Sequence, residues 1–429
     1  MEVLPIPSVQ LDALCALNPE RYPFLLESVN PNKNNRYSIL FANPLKKIVL
    51  NDLDGFDFLG ELESQISNVK VKSDLPFTGG WFVYLSYELI GQIEPVLKTH
   101  CHSGDQPIAI AVKIPTAIVI DHTAKQTFLL DESDDRQRIE QVLLDIKHLD
   151  DVPITQFSGT LSNEDELKFL SGVRTTQAFI KAGDVFQVNL SRQWRYHLSD
   201  EVDSVQIYRT LKQTNPAPFS ALAQFDDFSI ISSSPERLFS VNGNQVETRP
   251  IAGTHPRGQG KADEVLKQQL INHPKEQAEH IMLLDLERND LGRVCEYGTV
   301  EVNEIMSLET YPYVHHIVSN IKGILKPGIT IKHLVRALFP GGTITGCPKV
   351  RCMQIISQLE QAPRQAYTGS IGYVSSNGKM DFNILIRTIS KQGKVLTLRA
   401  GAGIVFDSIA ERELEETKHK AEGLLKIFN

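Results

Sequence analysis

The stretch TRPIAGTHPRG (Thr248–Gly258) is the part of the sequence around which the rest of the chain can be organised. It holds two prolines within eleven residues, so we expect a fixed loop and neither helix nor strand. Gly253 lets backbone approach a ligand closely, and Thr254 adds a hydroxyl group. Basic and imidazole side chains accompany them at Arg249, His255 and Arg257. The stretch suits an anion held by N–H and hydroxyl groups, although a surface turn beside a basic strand end has the same composition.

Composition places the chain among globular proteins with a large core. It has 429 residues, of which 41% are hydrophobic and 22% charged. The net charge of −8 argues against a nucleic acid or an anionic membrane as partner. We expect the five scattered cysteines to be reduced thiols. No signal peptide or membrane-spanning run is evident, so a cytoplasmic location is expected.

The chain divides into two regions at the level of sequence. Residues 1–150 have mixed, strand-rich patterns, and residues 151–165 are polar and rich in turn formers, which predicts a boundary there. Residues 165–429 alternate helices and strands. They include one long helix predicted over Lys261–Leu286 and a closing helix from about Ala410.

Two predicted helices each carry a pair of glutamates three residues apart. Glu276 and Glu279 lie on the first, and Glu413 and Glu416 on the last. Residues three apart share a helix face, so each pair presents two carboxylates together. Two such faces turned toward each other would suit Mg²⁺, which binds carboxylate, water and substrate oxygens. A solvated acidic face has the same spacing.

Two segments rich in small residues follow in the second region. FPGGTITGCPK (Phe339–Lys349) can aim N–H groups at an anion but lacks the spacing of a nucleotide-binding P-loop. RAGAGIV (Arg399–Val405) follows a strand and opens no helix, so dinucleotide binding is disfavoured. Other candidate side chains are scattered, and each alone would be structural: Glu236, His316, Tyr367, Arg387 and Lys420.

Together these stretches make the chain resemble the chorismate-utilising enzymes, which include component I of anthranilate and aminodeoxychorismate synthases and the isochorismate and salicylate synthases. The resemblance covers essentially the whole chain and rests on five motifs in the family's order. These are VFQVNLSR, SPER, RPIAGT, KEQAEHIMLLDLERNDLGR (Lys275–Arg293), and AGAGIV followed by ExxET (Glu413–Thr417). The resemblance implies an α+β sandwich, with two large, mostly antiparallel sheets packed face to face and helices outside. It also implies that the two regions interleave in one body.

The resemblance assigns roles to individual residues. It implies that Glu279 and Glu416 bind Mg²⁺ directly, with Glu276 and Glu413 acting through water. Glu236 resembles the general acid for the departing C4 hydroxyl of chorismate. The remaining positions divide between the ring carboxylate (Gly253, Thr254), the enolpyruvyl carboxylate (Tyr367, Arg387, Gly401, Gly403) and other active-site places (His316, Thr343, Lys420).

Two positions bear on which reaction the resemblance implies. Isochorismate and salicylate synthases carry a water-activating lysine where this chain has Gln187, so ammonia is the expected nucleophile. Many aminodeoxychorismate synthases carry a nucleophilic lysine where this chain has Ala252. That alanine favours anthranilate synthase, or an aminodeoxychorismate synthase that works without the covalent lysine. QVNLSR, GGTITGCPK, WFVYLSYEL and RYPFLLES resemble the aminodeoxychorismate synthases instead. We therefore expect amination of chorismate to 4-amino-4-deoxychorismate, on the route to 4-aminobenzoate and folate, with anthranilate synthase as the alternative.

The resemblance also implies partners. The chain has no G-x-C-x-G motif of a fused glutaminase, so a separate class I glutamine amidotransferase is expected to supply ammonia, and a separate lyase to act on the product. Family members hold tryptophan in the N-terminal half, and Ser28, Asn215 and Pro216 resemble parts of that pocket. A catalytically silent tryptophan-binding protein is an alternative of another class, but all four glutamates speak against it.

Overall fold

The structure is a computed structural model of the chain and describes residues 1–29, 31, 35–66, 72–149, 154, 156–258, 260–310 and 314–428. Strands β1 to β22 span, in chain order, Glu2–Ile6, Phe24–Glu27, Tyr37–Ala42, Lys47–Leu50, Gly80–Leu85, Ala109–Ile114, Thr116–Asp121, Gln126–Asp131, Gly159–Asn163, Gln187–Leu198, Phe219–Gln224, Ser229–Ser234, Arg237–Asn242, Gln245–Arg249, Ile251–Pro256, Glu301–Thr310, Val314–Ile324, Gly346–Cys347, Ser370–Ser375, Met380–Asn383, Thr388–Gln392 and Val395–Ile404.

Several helices begin next to a capping side chain. Asp135, Asp165 and Asp203 each accept a hydrogen bond from a first-turn N–H group, which stabilises the starts of the fourth, fifth and sixth helices. Helices α1 to α11 span Leu11–Leu17, Phe58–Gln65, Ile90–Ile93, Arg136–Lys147, Glu166–Lys181, Ser204–Thr214, Lys261–Asn272, Pro274–Val294, Ile331–Leu338, Lys349–Glu360 and Ala410–Leu425.

The strands form two antiparallel sheets in the described part of the chain. The first has twelve strands in the order β1-β8-β7-β3-β2-β11-β12-β21-β22-β10-β18, with β9 beside β10. The second has ten strands in the order β15-β17-β14-β13-β20-β19-β5-β6-β4, with β16 beside β17. Each sheet contains strands from both sequence regions: β2 pairs with β11 in the first, and β5 pairs with β19 in the second.

The two sheets pack against each other through an apolar core. Phe24 of the first sheet stacks on Phe82 of the second with ring centroids 4.0 Å apart. Further apolar clusters lie on the outer faces, where α6 and α11 cover the first sheet and α8 and α9 cover the second. Fully burying one such side chain stabilises the fold by about 1.5–3 kcal/mol. The predicted sandwich of two antiparallel sheets with helices outside is confirmed.

The prediction that Thr248–Gly258 is a loop without strands is wrong. The stretch contains the end of β14 and all of β15, and both strands pair with the long strand β17. Pro250, which has no N–H to donate, falls at the junction between them. Gly253 has φ 79°, and the register shifts between Ala252 and Thr254. The proline and glycine therefore interrupt a strand and create a bulge in it, and they do not prevent it.

The single long helix predicted over Lys261–Leu286 is also wrong. The helix breaks at His273, and Pro274 begins the next one, α8, which continues to Val294. Proline disrupts a helix interior because it lacks an N–H, yet it is favoured at the first helical position. The break puts Glu276 in the first turn of α8, where its Oε2 would lie 2.9 Å from a Cβ on Gly253 of β15.

Two simpler expectations concern the surface and the thiols. Within the described residues, no helix combines the length and the hydropathy needed to span a bilayer. All five cysteines are free, and Cys15, Cys295 and Cys352 are buried. The first part of the boundary predicted at residues 151–165 falls outside the described residues.

Candidate active site

The structure brings together the start of β10, the end of β22 and the first turns of α8. Gln187 donates from Nε2 to Glu279 Oε1 over 2.6 Å. Gly403 lies directly beneath them, because a Cβ added there would stand 2.3 Å from Gln187 Nε2 and 3.2 Å from Glu279 Oε1. The absence of a side chain at residue 403 is therefore what lets this amide and this carboxylate meet.

Carboxylates from α8 and α11 act on one another in this region. The pKa of Glu279 is raised, first by burial; Gln187 opposes the rise, and the charges of Glu276 and Glu416 add to it. Glu416 in turn forms an ion pair with Lys420, with Oε1 and Nζ 2.7 Å apart. Glu413, one turn earlier on α11, is buried. The two glutamate pairs predicted from the sequence thus lie on α8 and α11, and the charge of Glu416 on α11 acts on Glu279 on α8.

The four glutamate carboxylates of α8 and α11 are suitable ligands for a hard divalent cation, but they do not converge on a single coordination point. Among the residues that the structure describes, no group of three histidine, cysteine, aspartate or glutamate side chains is tight enough to hold a metal ion. Glu279 is held by Gln187, and Glu416 by Lys420. Carboxylate oxygens are nevertheless the ligands that Mg²⁺ prefers, and a cation between them would offset the charges of Glu276 and Glu416, which add to the effect of burial on the pKa of Glu279.

Glu236 is a buried acid in contact with the glycine-rich segment. Its side chain is 3% exposed, and its Oε1 accepts a hydrogen bond from Thr343 Oγ1 at 2.9 Å and one from the Ile251 N–H at 3.4 Å. Burial raises its pKa to about 7, against the opposing effects of Thr343 and of more distant cations. A carboxyl group with that pKa is half protonated near neutrality, which suits a general acid.

Tyr367 and Gly401, two further residues predicted from the sequence, lie against each other. A Cβ at Gly401 would stand 2.8 Å from the Tyr367 hydroxyl and 2.6 Å from Asn189 Oδ1. Arg387 has φ 50°, a left-handed conformation that is unfavourable for residues other than glycine and is found at functional sites. Its charge acts on both Glu236 and His316. The Tyr367 hydroxyl and the Arg387 guanidinium are both donors, which suits a carboxylate.

His316 is buried on β17, and burial together with the charge of Arg387 lowers its pKa to about 3. Its imidazole is therefore neutral at physiological pH. It pairs in register with Thr254 of β15. The side chains of Thr254 and Ala252 lie outside the described part of the structure. Gly253 between them is described: a Cβ there would stand 2.9 Å from Glu276 Oε2.

A separate cavity of about 290 Å³ lies between the sheets and includes Ser28 in its lining. Ser28 is buried, and its hydroxyl donates to the Tyr37 and Pro218 carbonyls at 3.0 and 3.2 Å. The described lining also contains Arg36, Arg237 and Asp381. Of the three pocket residues predicted from the sequence, only Ser28 is in that lining. Asn215 instead donates to Ser233 Oγ at 3.0 Å.

Three further residues near the site were missed by sequence reasoning. Asn189 packs on Gly401, and Arg364 lies with its guanidinium 5.4 Å from the centroid of the Tyr367 ring. Glu287 is buried, bonds to the Thr248 hydroxyl, and has a pKa that burial raises to about 8. Glu287 follows Glu276 by three helical turns on the same stripe of α8, so helical spacing could have identified it. Nothing local marks the other two.

Replacing Gly403 with alanine is expected to lower kcat/KM by about 10²-fold, because the added methyl group must displace the Gln187 amide or the Glu279 carboxylate. Gly292 on α8 is the matched control. A Cβ there meets nothing within 4 Å, and alanine is favoured in a helix by about 1 kcal/mol, so Gly292→Ala should keep activity and raise the unfolding temperature. Steady-state kinetics of both variants test this, and an active Gly403→Ala enzyme would contradict it.

Comparison with known proteins adds to this geometry. A family model described as chorismate binding enzyme matches residues 22–426. Aminodeoxychorismate synthase component 1 of Bacillus subtilis is 41% identical over 359 residues, covering 80% of this chain and 76% of that protein. An anthranilate synthase component I-like protein of Synechocystis is 39% identical over 415 residues, covering 94% and 85%. Among solved structures, anthranilate synthase component I from Streptococcus pneumoniae superposes with a TM-score of 0.80 at 32% identity, covering 93% of this chain and 94% of that one.

Proposed function

Since the chain belongs to the family of chorismate-binding enzymes, we propose that it catalyses the Mg²⁺-dependent amination of chorismate to 4-amino-4-deoxychorismate. The observation that carries the choice of ammonia as nucleophile is the amide of Gln187. It donates to Glu279 at 2.6 Å, at the place where a member that uses water as its nucleophile would need a base. An amide has no basic lone pair at neutral pH, so the nucleophile must itself be basic, as ammonia is.

The chain's own residues divide the work in this proposal. Tyr367, Arg387 and the backbone at Gly401 hold the enolpyruvyl carboxylate, and the bulge at Gly253 receives the ring carboxylate. Glu236, held by Thr343, donates its proton to the C4 hydroxyl as that group leaves. When bound, Mg²⁺ would neutralise the ring carboxylate, with Glu279 and Glu416 as its ligands and Glu276 and Glu413 behind them.

The proposed product, 4-amino-4-deoxychorismate, has one alternative, which is anthranilate. The B. subtilis aminodeoxychorismate synthase and the stretches QVNLSR and GGTITGCPK support amination without loss of pyruvate. Ala252 and the anthranilate synthase relatives support the alternative, in which anthranilate and pyruvate are formed. The relatives include both kinds of synthase. We place the first reaction above the second because several separate stretches of the sequence favour it, whereas Ala252 is the residue of the sequence that opposes it.

The deciding experiment incubates the purified chain with chorismate, Mg²⁺ and an ammonium salt, and identifies the products by chromatography and mass spectrometry. An aminated chorismate that becomes 4-aminobenzoate only after an aminodeoxychorismate lyase is added is the expected result. Anthranilate with pyruvate, formed without a lyase, would establish the alternative. Binding of tryptophan in a calorimetric titration, without any turnover of chorismate, would indicate a catalytically silent binding protein.

The partner in this proposal is a glutamine amidotransferase that delivers ammonia to the Gln187 side of the site. Free ammonium salts should replace glutamine and that partner in the assay. Tryptophan is the proposed ligand of the cavity that contains Ser28, whose lining offers cationic and anionic groups for an amino acid.

Introducing lysine at residue 252 tests how this chain works without a covalent nucleophile there. The backbone of Ala252 lies on β15 beside the Gly253 bulge, so we expect Ala252→Lys to form an adduct with chorismate visible by intact-mass spectrometry. Ala252→Met, similar in length but unable to attack, is the control. An unmodified mass with an unchanged product would mean that the position is not poised for attack.

A further inference from the structure

The buried carboxylate of Glu360 connects the two parts of the chain proposed to bind the enolpyruvyl carboxylate, which are strand β22 with Gly401 and the segment with Tyr367. Glu360 is the last residue of α10 and is 3% exposed. Its Oε1 accepts from the Ser191 N–H and hydroxyl, both at 2.8 Å, and from Arg364 Nη2 at 2.6 Å. Its Oε2 accepts from Arg364 Nε at 3.0 Å and Arg399 Nη2 at 2.9 Å. All five hydrogen bonds end on one buried side chain.

Two partners of Glu360, Ser191 and Arg399, lie on the strands that meet at Gly401. Ser191 on β10 is the register partner of Gly401 on β22, and Arg399 precedes Gly401 by two residues on the same strand. Arg399 Nε also donates to Ser191 Oγ at 3.1 Å. The carboxylate therefore joins β10 to β22 at the residue where a missing side chain exposes backbone beside the Tyr367 hydroxyl.

Arg364 connects the same carboxylate to Tyr367 and to the loop of Thr343. Its guanidinium faces the Tyr367 ring at 5.4 Å from the centroid, and its carbonyl accepts from the Tyr367 N–H at 3.0 Å. The guanidinium also donates to the Ile344 carbonyl at 3.2 Å and to the Asn189 carbonyl at 2.8 Å. Lysine, with a single nitrogen at its tip, cannot make these divergent contacts together.

The charge of this cluster also favours an anionic ligand above it. Burial opposes ionisation of Glu360, but Arg364 and Arg399 outweigh it and hold its pKa at about 2. One carboxylate between two guanidinium groups leaves an excess positive charge. Among the described residues, Arg399 Nη1 is buried without a hydrogen-bond partner, so part of that charge is not compensated locally.

We infer that Glu360 and Arg364 are positioning residues that set the Tyr367 hydroxyl against the Gly401 backbone, and thereby determine how strongly the site binds the enolpyruvyl carboxylate. Neither side chain touches substrate in this arrangement; they act through Tyr367 and Gly401. The inference rests on the proposed function for the identity of the bound carboxylate.

The test measures binding of chorismate and of an analogue whose enolpyruvyl carboxylate is replaced by hydrogen, by titration calorimetry with Mg²⁺ present. Wild type should prefer chorismate, and Arg364→Lys and Glu360→Gln should each shrink that preference by about tenfold or more. Tyr367→Phe should shrink it too, and Arg364→Lys combined with Tyr367→Phe should shrink it no further than the stronger single change, because both act on one contact.

The matched control is Arg209→Lys. Arg209 is another buried arginine, which lies on α6 outside the site and pairs with Asp12 at 3.0 Å. The substitution should lower thermal stability and keep the preference for chorismate. Ser191→Ala, which removes a hydroxyl alone, serves if Arg364→Lys fails to fold. Variants that fold but keep the wild-type preference, or effects of Arg364→Lys and Tyr367→Phe that add independently, would overturn the inference.

The binding ratio separates this inference from the proposed function. A wild-type chain that discriminates between the two ligands but yields anthranilate overturns only the proposed product. A wild-type chain that turns over chorismate yet binds both ligands equally has no carboxylate clamp to position, and the inference about Glu360 and Arg364 is then wrong.

Discussion

Replacing Glu279 with alanine is expected to lower kcat/KM for chorismate by about 10³-fold and to remove the dependence of the rate on Mg²⁺. Glu279 is the carboxylate on which the site converges. It accepts from Gln187 at 2.6 Å and feels the charges of Glu276, Glu416 and Lys420. Its loss removes a proposed ligand of the Mg²⁺ ion that would neutralise the ring carboxylate. It also leaves the Gln187 amide without its hydrogen-bond partner. Steady-state rates over a range of Mg²⁺ concentrations, with calorimetric titration of Mg²⁺ in the presence of chorismate, measure both effects.

Asp285, on the same helix, is the control for a lost negative charge. Its side chain is 65% exposed and pairs with Arg288 on the surface at 3.2 Å. Asp285→Ala should therefore change kcat/KM by no more than about twofold, since an exposed pair of this kind contributes at most about 1 kcal/mol. An alanine variant of Glu279 that kept a tenth of the wild-type rate and its Mg²⁺ dependence would remove Glu279 from the proposed metal site.

Replacing Glu236 with glutamine is expected to lower kcat by about 10²–10⁴-fold, because the amide keeps the shape and the contact with Thr343 but has no acidic proton to give. The wild-type rate should also depend on pH in a defined direction. Since the pKa of Glu236 is about 7 and the acid form is the active one, kcat/KM at constant free ammonia should fall as pH rises above about 7. Rates across the pH range at fixed free ammonia test this; a flat profile above pH 7 would exclude Glu236 as the acid.

The same pKa fixes the effect of pH on stability. The folded-state pKa of Glu236 is raised above its ordinary value, so the stabilisation from its protonated form is complete below about pH 4.5 and is lost as pH rises through 7. Glu236→Gln should therefore unfold at a higher temperature than wild type above pH 7. Glu287→Gln is the matched control, because Glu287 is also buried, with a raised pKa of about 8. It should likewise gain stability at alkaline pH, because a neutral amide replaces its buried carboxyl group.

Part of the arrangement of the candidate site could be predicted from the sequence, because it depends on local spacing. Each glutamate pair does lie on one helix, and the closing helix begins at Ala410 as expected, whereas the helix of Glu276 and Glu279 begins at Pro274 and not at Lys261. The sandwich, however, came from resemblance and from no periodicity. The strand pairing that builds it joins distant residues, such as Leu25 with Leu222 and Phe82 with Tyr373, and no local pattern determines that register.

The errors and omissions have a common physical cause. Pro250 and Gly253 argued for a loop, yet β17 runs unbroken past both and supplies partners on either side of the junction, so tertiary pairing outweighed local propensity. The raised pKa of Glu236 follows from burial, which the sequence does not display. Arg364 and Glu360 lie four residues apart in an ordinary stretch, and their importance appears only when Ser191 and Arg399 meet them.

The order of strands has a consequence for how the chain folds as it is made. Strands β19 to β22 arise from the last quarter of the sequence, yet they lie inside both sheets: β21 and β22 separate β12 from β10, and β19 and β20 separate β13 from β5. Until residue 404 has left the ribosome, both sheets have open strand edges that other chains can pair with. We therefore expect folding to finish only after translation, at the slow rates typical of distant strand pairing. Chaperones, more than added stability, should then govern how much of this enzyme a cell accumulates.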